Sequence, residues 1–559
     1  MRSHPQDLMR VLIIGGVAGG ASCAARLRRL DEHAEIVLIE RGPFVSYANC
    51  GLPYHVGGVI EQEQSLLVAS AATLRAQLAL DVRTGCEAVA IDAAARRVTL
   101  REVASGATRS ESYDALVLAP GAVSVRPPFP GIELPGIFAL RTVPDARAMR
   151  AWIERDGPHV AAQRRGRAVV VGGGFIGLET AENLARRGIA TTVVELLDQV
   201  LPPLDRELAR IVEERLRAHG VELVLGDGVA AFERGADGAL TVSTKAGRAL
   251  PADLVVLALG VRPDTALAKA AGLAIGERGG IRVDAQMRTS DPHIYAVGDV
   301  VQERDTVTGD AALVALAGPA NRQGRIAADA IAGRKSAFRG AQGTAIVGLF
   351  GLAVAWTGAT EKALRRRGES DYEKVYLHPG SHAGYYPGAK PIALKLLFRK
   401  SDGKLLGAQA CGEDGVDKRI SALAAFLQMG ATVYDLEEAE LCYAPQFGSA
   451  KDPVNLAGMI AANTLRGDLP LAHWAERGEG LLLDVREASE VEAESVPGAV
   501  HIPLGELRAR LSELPREREI HVFCRSGQRA YLATRLLLQR GFRARDLSGG
   551  VLSRRHLLA

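Results

Sequence analysis

Cysteine is scarce in this sequence of 559 residues, and no two cysteines form a Cys-x-x-Cys pair. The six are scattered as Cys23, Cys50, Cys86, Cys411, Cys442 and Cys524. Such spacing argues against a disulfide framework or a zinc site and fits a reducing compartment. Each cysteine is therefore expected to be either a packed side chain or an individually reactive thiol.

Strong charge and long apolar runs are missing as well. A formal net charge of +3 over the whole chain gives no indication of nucleic-acid binding. No uninterrupted apolar run approaches the roughly 18 residues that a membrane span needs. The N-terminal segment resembles a signal peptide superficially, but Gly15, Gly16, Gly19 and Gly20 interrupt its apolar part. We expect a cytoplasmic protein with neither a nucleic-acid nor a membrane partner.

Length and glycine are abundant by contrast. The chain is too long for one hydrophobic core, so three or four domains are expected. The 61 glycines cluster at turns that follow apolar runs, which is typical of nucleotide-binding loops.

The first glycine-rich turn joins an apolar run at 10–14 to a predicted helix. A second apolar run at 36–39 ends at Glu40, twenty residues after Gly20. This is the βαβ layout in which glycines admit a pyrophosphate at a helix N-terminus and an acid binds a ribose. Val17 replaces the middle glycine of the fingerprint, so a tight turn without a ligand is the alternative. The predicted cofactor contacts are Gly15, Gly16, Val17, Ala18, Gly19, Gly20, Glu40 and Arg41.

The second glycine-rich turn carries the complete Gly-x-Gly-x-x-Gly fingerprint. It follows a predicted strand at 168–171, and the next strand, at 191–194, ends at Glu195, eighteen residues after Gly177. An acid there favours the free ribose hydroxyl of NADH over the phosphate of NADPH, although NADPH stays open. The predicted contacts are Gly172, Gly174, Phe175, Ile176, Gly177 and Glu195.

Two later strand ends complete this pattern. An apolar run at 115–118 leads to Gly121, and another at 294–297 leads to Gly298 and Asp299. This order resembles the flavoproteins with two dinucleotide-binding domains. The resemblance implies FAD at the first site, with Gly121, Gly298 and Asp299 among its contacts and Asp299 on the ribityl chain.

Cys50 lies among small and polar residues just after the Glu40 strand, where a thiolate is both stabilised and accessible. Disulfide-reductase flavoproteins place a redox cysteine here, commonly with a second one four residues away. That second cysteine is absent, and so is their C-terminal His-Pro…Glu element. The second sulfur must therefore come from a substrate or an oxidant.

Three motifs narrow the resemblance to the coenzyme A disulfide reductases over roughly residues 10–465. They are Ala48–Tyr54, His382–Gly388 and Cys442–Asn455. The resemblance implies that Cys50 is the nucleophile and that Tyr385 and Tyr443 of a second subunit hydrogen-bond sulfur beside it. Tyr386 is an alternative to Tyr385, and core packing is the alternative for either. The implied coenzyme A contacts are Ser22, Arg26, Arg29, Ser46, Asn49 and Lys451.

The helix that carries Arg26, Arg28 and Arg29 forms a basic patch suited to phosphates, with a solvated helix face as the alternative. Residues 340–460 resemble the dimerisation domain of the family, which implies a homodimer.

The C-terminal segment begins a new pattern after a stretch at 466–480 that reads as a linker. Predicted strands at 481–486 and 519–523 precede Cys524, which opens a loop at a helix N-terminus. Inward-pointing amides together with Arg525 and Arg529 favour an anion or a thiolate there. The Cys-x-x-Gly-x-Arg loop resembles the single-domain rhodaneses, which implies that Cys524 carries a persulfide. A phosphatase or an inactive rhodanese fold is the alternative.

The predicted fold is therefore α/β: two Rossmann-like domains for FAD and NADH, an α+β dimerisation domain and an α/β rhodanese domain. The predicted domains are 1–125 and 263–335 for FAD, 126–262 for NAD(P)H, 336–465 for dimerisation, and 466–559 for rhodanese. The predicted activity is NAD(P)H-dependent reduction of the S–S bond of coenzyme A persulfide, polysulfide or coenzyme A disulfide. The alternatives are reduction of coenzyme A disulfide alone, a single-cysteine NADH oxidase or peroxidase, and a redox-sensing flavoprotein.

Overall fold

The computed structural model describes residues 8–558, so residues 1–7 and 559 of the predicted first and last domains lie outside it. The chain forms two compact units. One ends at Asp198 and resumes over Gly220–Gly343, and the other comprises Gln199–His219 and the chain from Thr344 onward. Among residues 8–558, no helix is long and apolar enough to cross a membrane.

The first unit contains a parallel five-stranded sheet built from the apolar runs of the first nucleotide pattern. Its strands, in spatial order, are Ile294–Ala296, Ala115–Leu118, Arg10–Ile14, Glu35–Glu40 and Asp81–Thr84. Both faces are covered, because Val11 and Ile13 pack into one buried cluster while Leu12 and Ile14 pack into another. Burial on both faces explains why this strand has no polar alternation.

A second parallel sheet in the same unit repeats this layout. Its strands, in spatial order, are Glu222–Leu225, Ala190–Glu195, Arg167–Val171, Leu254–Leu257 and Ile137–Ala139. Strands Ala122–Ser124 and Val261–Pro263 pair antiparallel. The segment between them, which forms the second parallel sheet, therefore begins and ends at neighbouring points. That pairing fits an inserted second nucleotide-binding domain, whose boundaries stay predictions.

The remaining elements of this unit are short strands and connecting helices. The smaller sheets contain Cys86–Asp92, Arg97–Glu102 and Thr108–Ser112; Val229–Arg234, Leu240–Thr244 and Ala249–Ala252; and Ile281–Arg282, Val301–Arg304 and Ala311–Ala312. The α-helices are Ala18–Arg28, Leu52–Val56, Ala71–Leu78, Val143–Ala151, Pro158–Ala161, Phe175–Arg186, Ala266–Ala270 and Ala317–Ile331. Short 3₁₀ turns span Asn49–Gly51 and Glu63–Leu66, and a π-helical turn spans Trp152–Asp156.

The second unit contains an antiparallel five-stranded sheet with helices beside it. Its strands, in spatial order, are Ala345–Leu349, Leu352–Gly358, Leu405–Gly412, Ile392–Arg399 and Tyr372–Leu377. Its helices are Glu361–Arg366, Val416–Met429, Val433–Glu438 and Pro453–Leu465. Helix Arg206–Ala218 also belongs to this unit, although the sequence predicts it within the segment 126–262.

The C-terminal segment forms a parallel sheet in the order Leu471–Ala472, Ala544–Leu547, Ile520–Phe523, Leu481–Asp484 and Ala499–His501. Its α-helices are Ala488–Ala493, Leu504–Leu507, Gln528–Gln539 and Gly550–Leu557, with a 3₁₀ turn at Leu511–Glu513. The linker interpretation of 466–480 was wrong for 471–474. Leu471–Ala472 form an edge strand, and the buried Trp474 donates from Nε1 to the Gly550 carbonyl at 2.9 Å. A strand of two residues is too short to show a sequence period.

Candidate active site

In the first glycine-rich turn, backbone atoms come so close together that two of the glycines leave no room for a Cβ atom. Gly15 has φ +99°, and a Cβ there would lie 2.0 Å from the Ala119 carbonyl oxygen. A Cβ on Gly20 would lie 1.8 Å from the Gly15 carbonyl oxygen, so the following helix packs directly onto the turn. Helix Ala18–Arg28 therefore presents its N-terminus at the carboxyl end of the central strand, where an anion is stabilised.

Glu40 is positioned by two backbone amides at the end of the neighbouring strand. Gly16 N donates to its Oε2 at 2.9 Å, and Gly42 N donates to its Oε1 at 2.8 Å. Beside it lies a cavity of about 610 Å³ whose lining includes Gly15, Glu40, Arg41 and Asp264. A glycine turn, a helix N-terminus and an acid around this volume fit the adenosine half of a dinucleotide.

Gly298 and Asp299, at the end of their strand, form hydrogen bonds to Gln323 and Arg141, two residues that the sequence did not single out. Gly298 N donates to Gln323 Oε1 at 2.7 Å, and Arg141 Nη2 donates to Asp299 Oδ2 at 3.1 Å. The Arg141 carbonyl in turn accepts from Asn49 Nδ2 at 3.2 Å. Arg141 thus connects Asp299 to Asn49, the residue beside Cys50. Arg141 lies between strand Ile137–Ala139 and helix Val143–Ala151, far from both residues in the sequence, so only its position at that junction could have drawn attention to it.

The second glycine-rich turn shows three separate reasons for its three glycines. Gly172 has φ +111°, and a Cβ on Gly177 would lie 2.0 Å from the Gly172 carbonyl oxygen. A Cβ on Gly174 would meet nothing within 4 Å, so the open side of the turn lies at the helix N-terminus. These are the tight turn, the close helix packing and the free approach that a pyrophosphate requires. The residues fit a second dinucleotide.

Glu195 repeats the arrangement of Glu40. Gly173 N donates to its Oε2 at 2.7 Å, and Leu197 N donates to its Oε1 at 2.9 Å. The carboxylate is buried at the strand end, whereas Leu196 and Leu197 are exposed. In the predicted set, Phe175 and Ile176 form the first turn of helix Phe175–Arg186.

Cys50 lies on the 3₁₀ turn Asn49–Gly51, which continues directly into helix Leu52–Val56. Ser46 begins this segment in a left-handed conformation, with φ 47°, and its amide donates to the Gly16 carbonyl at 2.8 Å. The thiol segment is therefore tied to the first glycine turn. Among the six cysteines, Cys50 and Cys442 are exposed and the other four are buried.

The surroundings of Cys50 contain two further groups that the sequence prediction missed. The Tyr54 hydroxyl donates to Glu179 Oε1 at 3.1 Å. Burial raises the pKa of Glu179 to about 7. Loss of hydration, and then the charge of Glu179, raises the pKa of the Cys50 thiol, while Arg141 lowers it. Glu179 follows the fingerprint by two residues, and that adjacency was its only sequence signal.

Four of the five predicted coenzyme A contacts in this unit line a cavity of about 370 Å³, and Asn49 is not among its lining residues. Its lining includes Ser22, Arg26, Arg29, Ser46, Asn321 and Arg325. Ser22 Oγ donates to Asn321 Oδ1 at 2.7 Å, and Arg26 is paired with Asp329 at 2.8 Å. Arg29 is exposed and free to turn towards an anion. Asn321 and Arg325 come from helix Ala317–Ile331, nearly 300 residues away, so the sequence could not associate them with Ser22.

Arg28 does not belong to the predicted basic patch. It is buried, and its guanidinium donates to the backbone carbonyls of Leu78, Ala79, Asp31 and Glu32. It therefore fixes the end of its own helix instead of facing a ligand.

The predicted tyrosines lie in the second unit. The hydroxyls of Tyr385 and Tyr443 are 2.5 Å apart, and both side chains are exposed. The ring of Tyr386 instead packs against His382, with ring centroids 5.6 Å apart, so Tyr385 is the one of the two that pairs with Tyr443. Lys451 is exposed immediately before Asp452, whose carboxylate is paired with the buried Arg419 at 2.9 Å.

The Cys524 loop lies between strand Ile520–Phe523 and helix Gln528–Gln539. Gly527 N donates to Cys524 Sγ at 3.2 Å, and the sulfur is buried in the loop. Arg525 is exposed, but Arg529 forms two hydrogen bonds to Glu490, of 2.6 and 2.7 Å. The Cys524 sulfur therefore accepts a hydrogen bond from one backbone amide of the loop, and the Arg525 side chain is exposed next to it in the chain.

Comparison with known proteins agrees with this geometry. Residues 9–324 match the pyridine nucleotide-disulphide oxidoreductase family, 344–452 its dimerisation domain, and 470–553 the rhodanese-like domain. Coenzyme A disulfide reductase of Staphylococcus haemolyticus is 32% identical over 455 residues, which are 81% of this chain and 99% of that protein.

Two solved structures are similar over almost the whole chain. Reduced CoADR-RHD of Bacillus anthracis is 44% identical with a TM-score of 0.95, covering 99% of both chains. A NAD-dependent persulfide reductase from A. fulgidus is 37% identical with a TM-score of 0.90, covering 98% of this chain and 100% of that one. The α/β fold is thereby confirmed, and the chain belongs to the pyridine nucleotide-disulphide oxidoreductase family, with a rhodanese-like domain at its C-terminus.

Proposed function

We propose that this oxidoreductase uses NAD(P)H and FAD to reduce the S–S bond of coenzyme A persulfide, polysulfide or coenzyme A disulfide at Cys50. The observation that carries the proposal is one exposed thiol, tied to the first nucleotide turn and without a neighbouring second cysteine. The similarity to a coenzyme A disulfide reductase and a persulfide reductase supports this substrate class.

The residues that would hold FAD are the turn Gly15–Gly20, Glu40, Arg41, Gly121, Gly298 and Asp299. NADH would be held by Gly172, Gly174, Phe175, Ile176, Gly177 and Glu195. When bound, the flavin passes two electrons from the nicotinamide to sulfur. Glu195 favours NADH, because its carboxylate, held by two backbone amides at the strand end, would accept from a ribose hydroxyl and repel a 2′-phosphate.

The reacting group of the protein is the Cys50 thiolate. It attacks the substrate R–S–S–R′, the S–S bond breaks, and R′–S⁻ leaves while Cys50–S–S–R forms. Two electrons then break this mixed disulfide and restore the Cys50 thiolate together with R–S⁻. In a homodimer, Tyr385 and Tyr443 of the second subunit hydrogen-bond the sulfur. The exposed tyrosine pair and the matched dimerisation domain support that arrangement.

Coenzyme A is bound in this proposal by Ser22, Arg26, Arg29, Ser46, Asn49 and Lys451. The first-unit cavity of about 370 Å³ already brings four of these side chains together. Arg26 has to exchange its pairing with Asp329 for a phosphate, whereas Arg29 is available without rearrangement.

Cys524 is proposed to carry sulfane sulfur, with Arg525 and Arg529 as its anion contacts. If the substrate contains an S–S bond, the C-terminal domain has a role, because Cys524 would supply or accept the sulfane sulfur that Cys50 reduces. The proposed location is the cytoplasm, consistent with free thiols at Cys50 and Cys442.

The test is anaerobic NADH oxidation by the holoenzyme with coenzyme A persulfide, coenzyme A disulfide, polysulfide or peroxide as the acceptor. We expect turnover with the sulfur acceptors and its loss in Cys50→Ser. The matched control is Cys442→Ser, which removes the other exposed thiol and leaves turnover unchanged. Retained turnover in Cys50→Ser contradicts the proposal, and turnover with peroxide alone favours a peroxidase. If Cys524→Ser leaves all sulfur substrates unaffected, the proposed role of the C-terminal domain is wrong.

A further inference from the structure

Strand Tyr372–Leu377 is an edge strand of the antiparallel sheet in the second unit. An edge strand presents backbone amides that no further strand accepts, and a buried amide needs an acceptor. The amide of the buried Tyr376 donates to Ser548 Oγ at 3.0 Å. Ser548 lies in the rhodanese-like domain, so that domain covers the edge strand at this residue.

A second hydrogen bond joins the same two domains two residues further along the chain. His378 Nε2 lies 2.8 Å from Ser553 Oγ. Burial lowers the pKa of His378 to about 4, so its imidazole is neutral at physiological pH and the contact is not an ion pair. Tyr376 is anchored in turn, because its hydroxyl donates to Glu207 Oε1 at 2.8 Å. Ser548 and Ser553 are thus both fixed by residues of the dimerisation domain.

The segment between these two serines supports the Cys524 loop. Val551 N donates to the Cys524 carbonyl oxygen at 2.9 Å, and Leu552 N donates to the Arg525 carbonyl oxygen at 3.1 Å. These carbonyls belong to the residue that bears the sulfur and to the exposed arginine that follows it. A shift of the segment therefore shifts the backbone that carries the Cys524 sulfur.

Two glycines leave no space between this segment and its neighbours. Gly550 has φ +59°, and a Cβ there would lie 2.4 Å from the Cys524 carbonyl oxygen. Gly549 has φ +74°, and a Cβ there would lie 2.7 Å from Tyr376 Cβ. The loop and the edge strand are thus in contact with adjacent residues of one segment, and close packing transmits a displacement from one to the other.

We propose that Tyr376 and His378 are positioning residues for the Cys524 loop, so that sulfur chemistry at Cys524 depends on docking of the C-terminal domain against the dimerisation domain. The inference rests on the proposed function, which gives Cys524 the sulfane sulfur. The two residues act through Ser548 and Ser553, which hold the segment that supports the loop. The C-terminal domain is accordingly not an independent module of this chain.

Hydrogen exchange tests this link directly in the full-length holoenzyme. The variants are His378→Leu and Ser548→Ala, each of which removes one docking hydrogen bond. Both are expected to speed exchange of the Val551 and Leu552 amides at least about fivefold, as for loss of one hydrogen bond. His378→Gln keeps a neutral polar group at a similar reach and should restore wild-type exchange.

The reactivity of Cys524 is the second readout. Its sulfur is buried in the loop, so alkylation by iodoacetamide requires the loop to open. Peptide mass spectrometry at pH 8 should show alkylation of Cys524 at least about fivefold faster in His378→Leu and Ser548→Ala. Cys411, buried in strand Leu405–Gly412, is the internal reference for general loosening and should not change. Ser512→Ala, at an exposed position of the same domain, is the matched control and should behave as the wild type.

Transfer of sulfane sulfur from thiosulfate to cyanide is the functional readout. It should fall at least about fivefold in His378→Leu and recover in His378→Gln, because a loosened loop no longer holds the sulfur in place.

Unchanged exchange at Val551 and Leu552 in both variants overturns the proposal. An equal rise in alkylation at Cys411 also overturns it, since the whole unit would then be loosened. Full sulfur transfer despite faster exchange means that docking is structural only, which contradicts the positioning role. If the wild type transfers no sulfur, the role given to Cys524 fails, whereas exchange and alkylation still decide the positioning role without any sulfur substrate.

Discussion

The strongest prediction about stability concerns the ammonium group of Lys395, which is fully buried in the second unit. Its Nζ lies 2.9 Å from Asp205, 2.6 Å from Glu207 and 2.6 Å from Glu361. Lys374 adds a second cation, 2.5 Å from Glu361. Two buried cations thus face three carboxylates. Removing Lys395 takes away the cation paired with Asp205 and Glu207, whereas Glu361 still pairs with Lys374 and Arg365.

The substitution Lys395→Met keeps the apolar stem and deletes only the charge. Breaking a buried ion pair by removing one partner costs about 3–5 kcal/mol. For a unit of roughly this size, each kcal/mol lowers the melting temperature by about 2–4 °C, so a fall of roughly 6–20 °C is expected at pH 8.

The pH dependence distinguishes charge from packing. Lys395 lowers the pKa of Asp205 and of Glu361. A lowered carboxyl pKa contributes stability above the ordinary pKa near 4, and this contribution disappears as the pH falls. In Lys395→Met the carboxylates lose that contribution, so the deficit is largest at pH 8 and shrinks below about pH 5.

The assay is thermal and urea denaturation at pH 3 and pH 8. Lys404→Met, on an exposed position just before strand Leu405–Gly412, is the matched control and should change the free energy of unfolding by less than about 0.5 kcal/mol. A deficit in Lys395→Met that is below about 1 kcal/mol, or equal at the two pH values, refutes the reasoning.

Three further perturbations follow from individual contacts. Burial raises the pKa of Asp546 well above its ordinary value, so wild-type stability falls as the pH rises above about 4. Asp546→Asn should gain about 1–3 kcal/mol at pH 8 and nothing at pH 3 in urea titrations. Glu490→Gln removes the carboxylate that positions the Arg529 guanidinium, and it should lower sulfurtransferase activity about tenfold while changing stability by less than about 1 kcal/mol. Glu195→Ala with Leu196→Arg should raise the kcat/KM ratio of NADPH to NADH at least about tenfold, and an unchanged ratio contradicts the role given to Glu195.

The secondary structure around the nucleotide turns was predictable almost to the residue. The run at 10–14 is strand Arg10–Ile14, and the predicted strand 168–171 is Arg167–Val171. Buried parallel strands consist of uninterrupted apolar residues, and the glycines mark where each one ends. Both signals are local and therefore visible in the sequence.

Contacts between distant segments could not be predicted in this way. Helix Arg206–Ala218 looks like part of the second nucleotide domain, yet Asp205 before it accepts hydrogen bonds from the amides of Glu361 and Lys362. Residues 471–474 look like a linker, yet they contain the edge strand Leu471–Ala472 and the buried Trp474. Hydrogen bonds made to partners about 70 to 160 residues away leave no periodic trace in the chain.

The sequence by itself determined the architecture and predicted the reacting atoms. Two βαβ fingerprints, Cys50 without a neighbouring cysteine, and the Cys524 loop are sequence facts, because the residue types alone specify their chemistry. Only the tertiary structure decided how that chemistry is controlled. It brought Glu179 to Tyr54, Arg141 to Asp299 and Arg325 to the cavity at Ser22. A pKa depends on burial and on the charges that surround a group, and both arise only when the chain has folded.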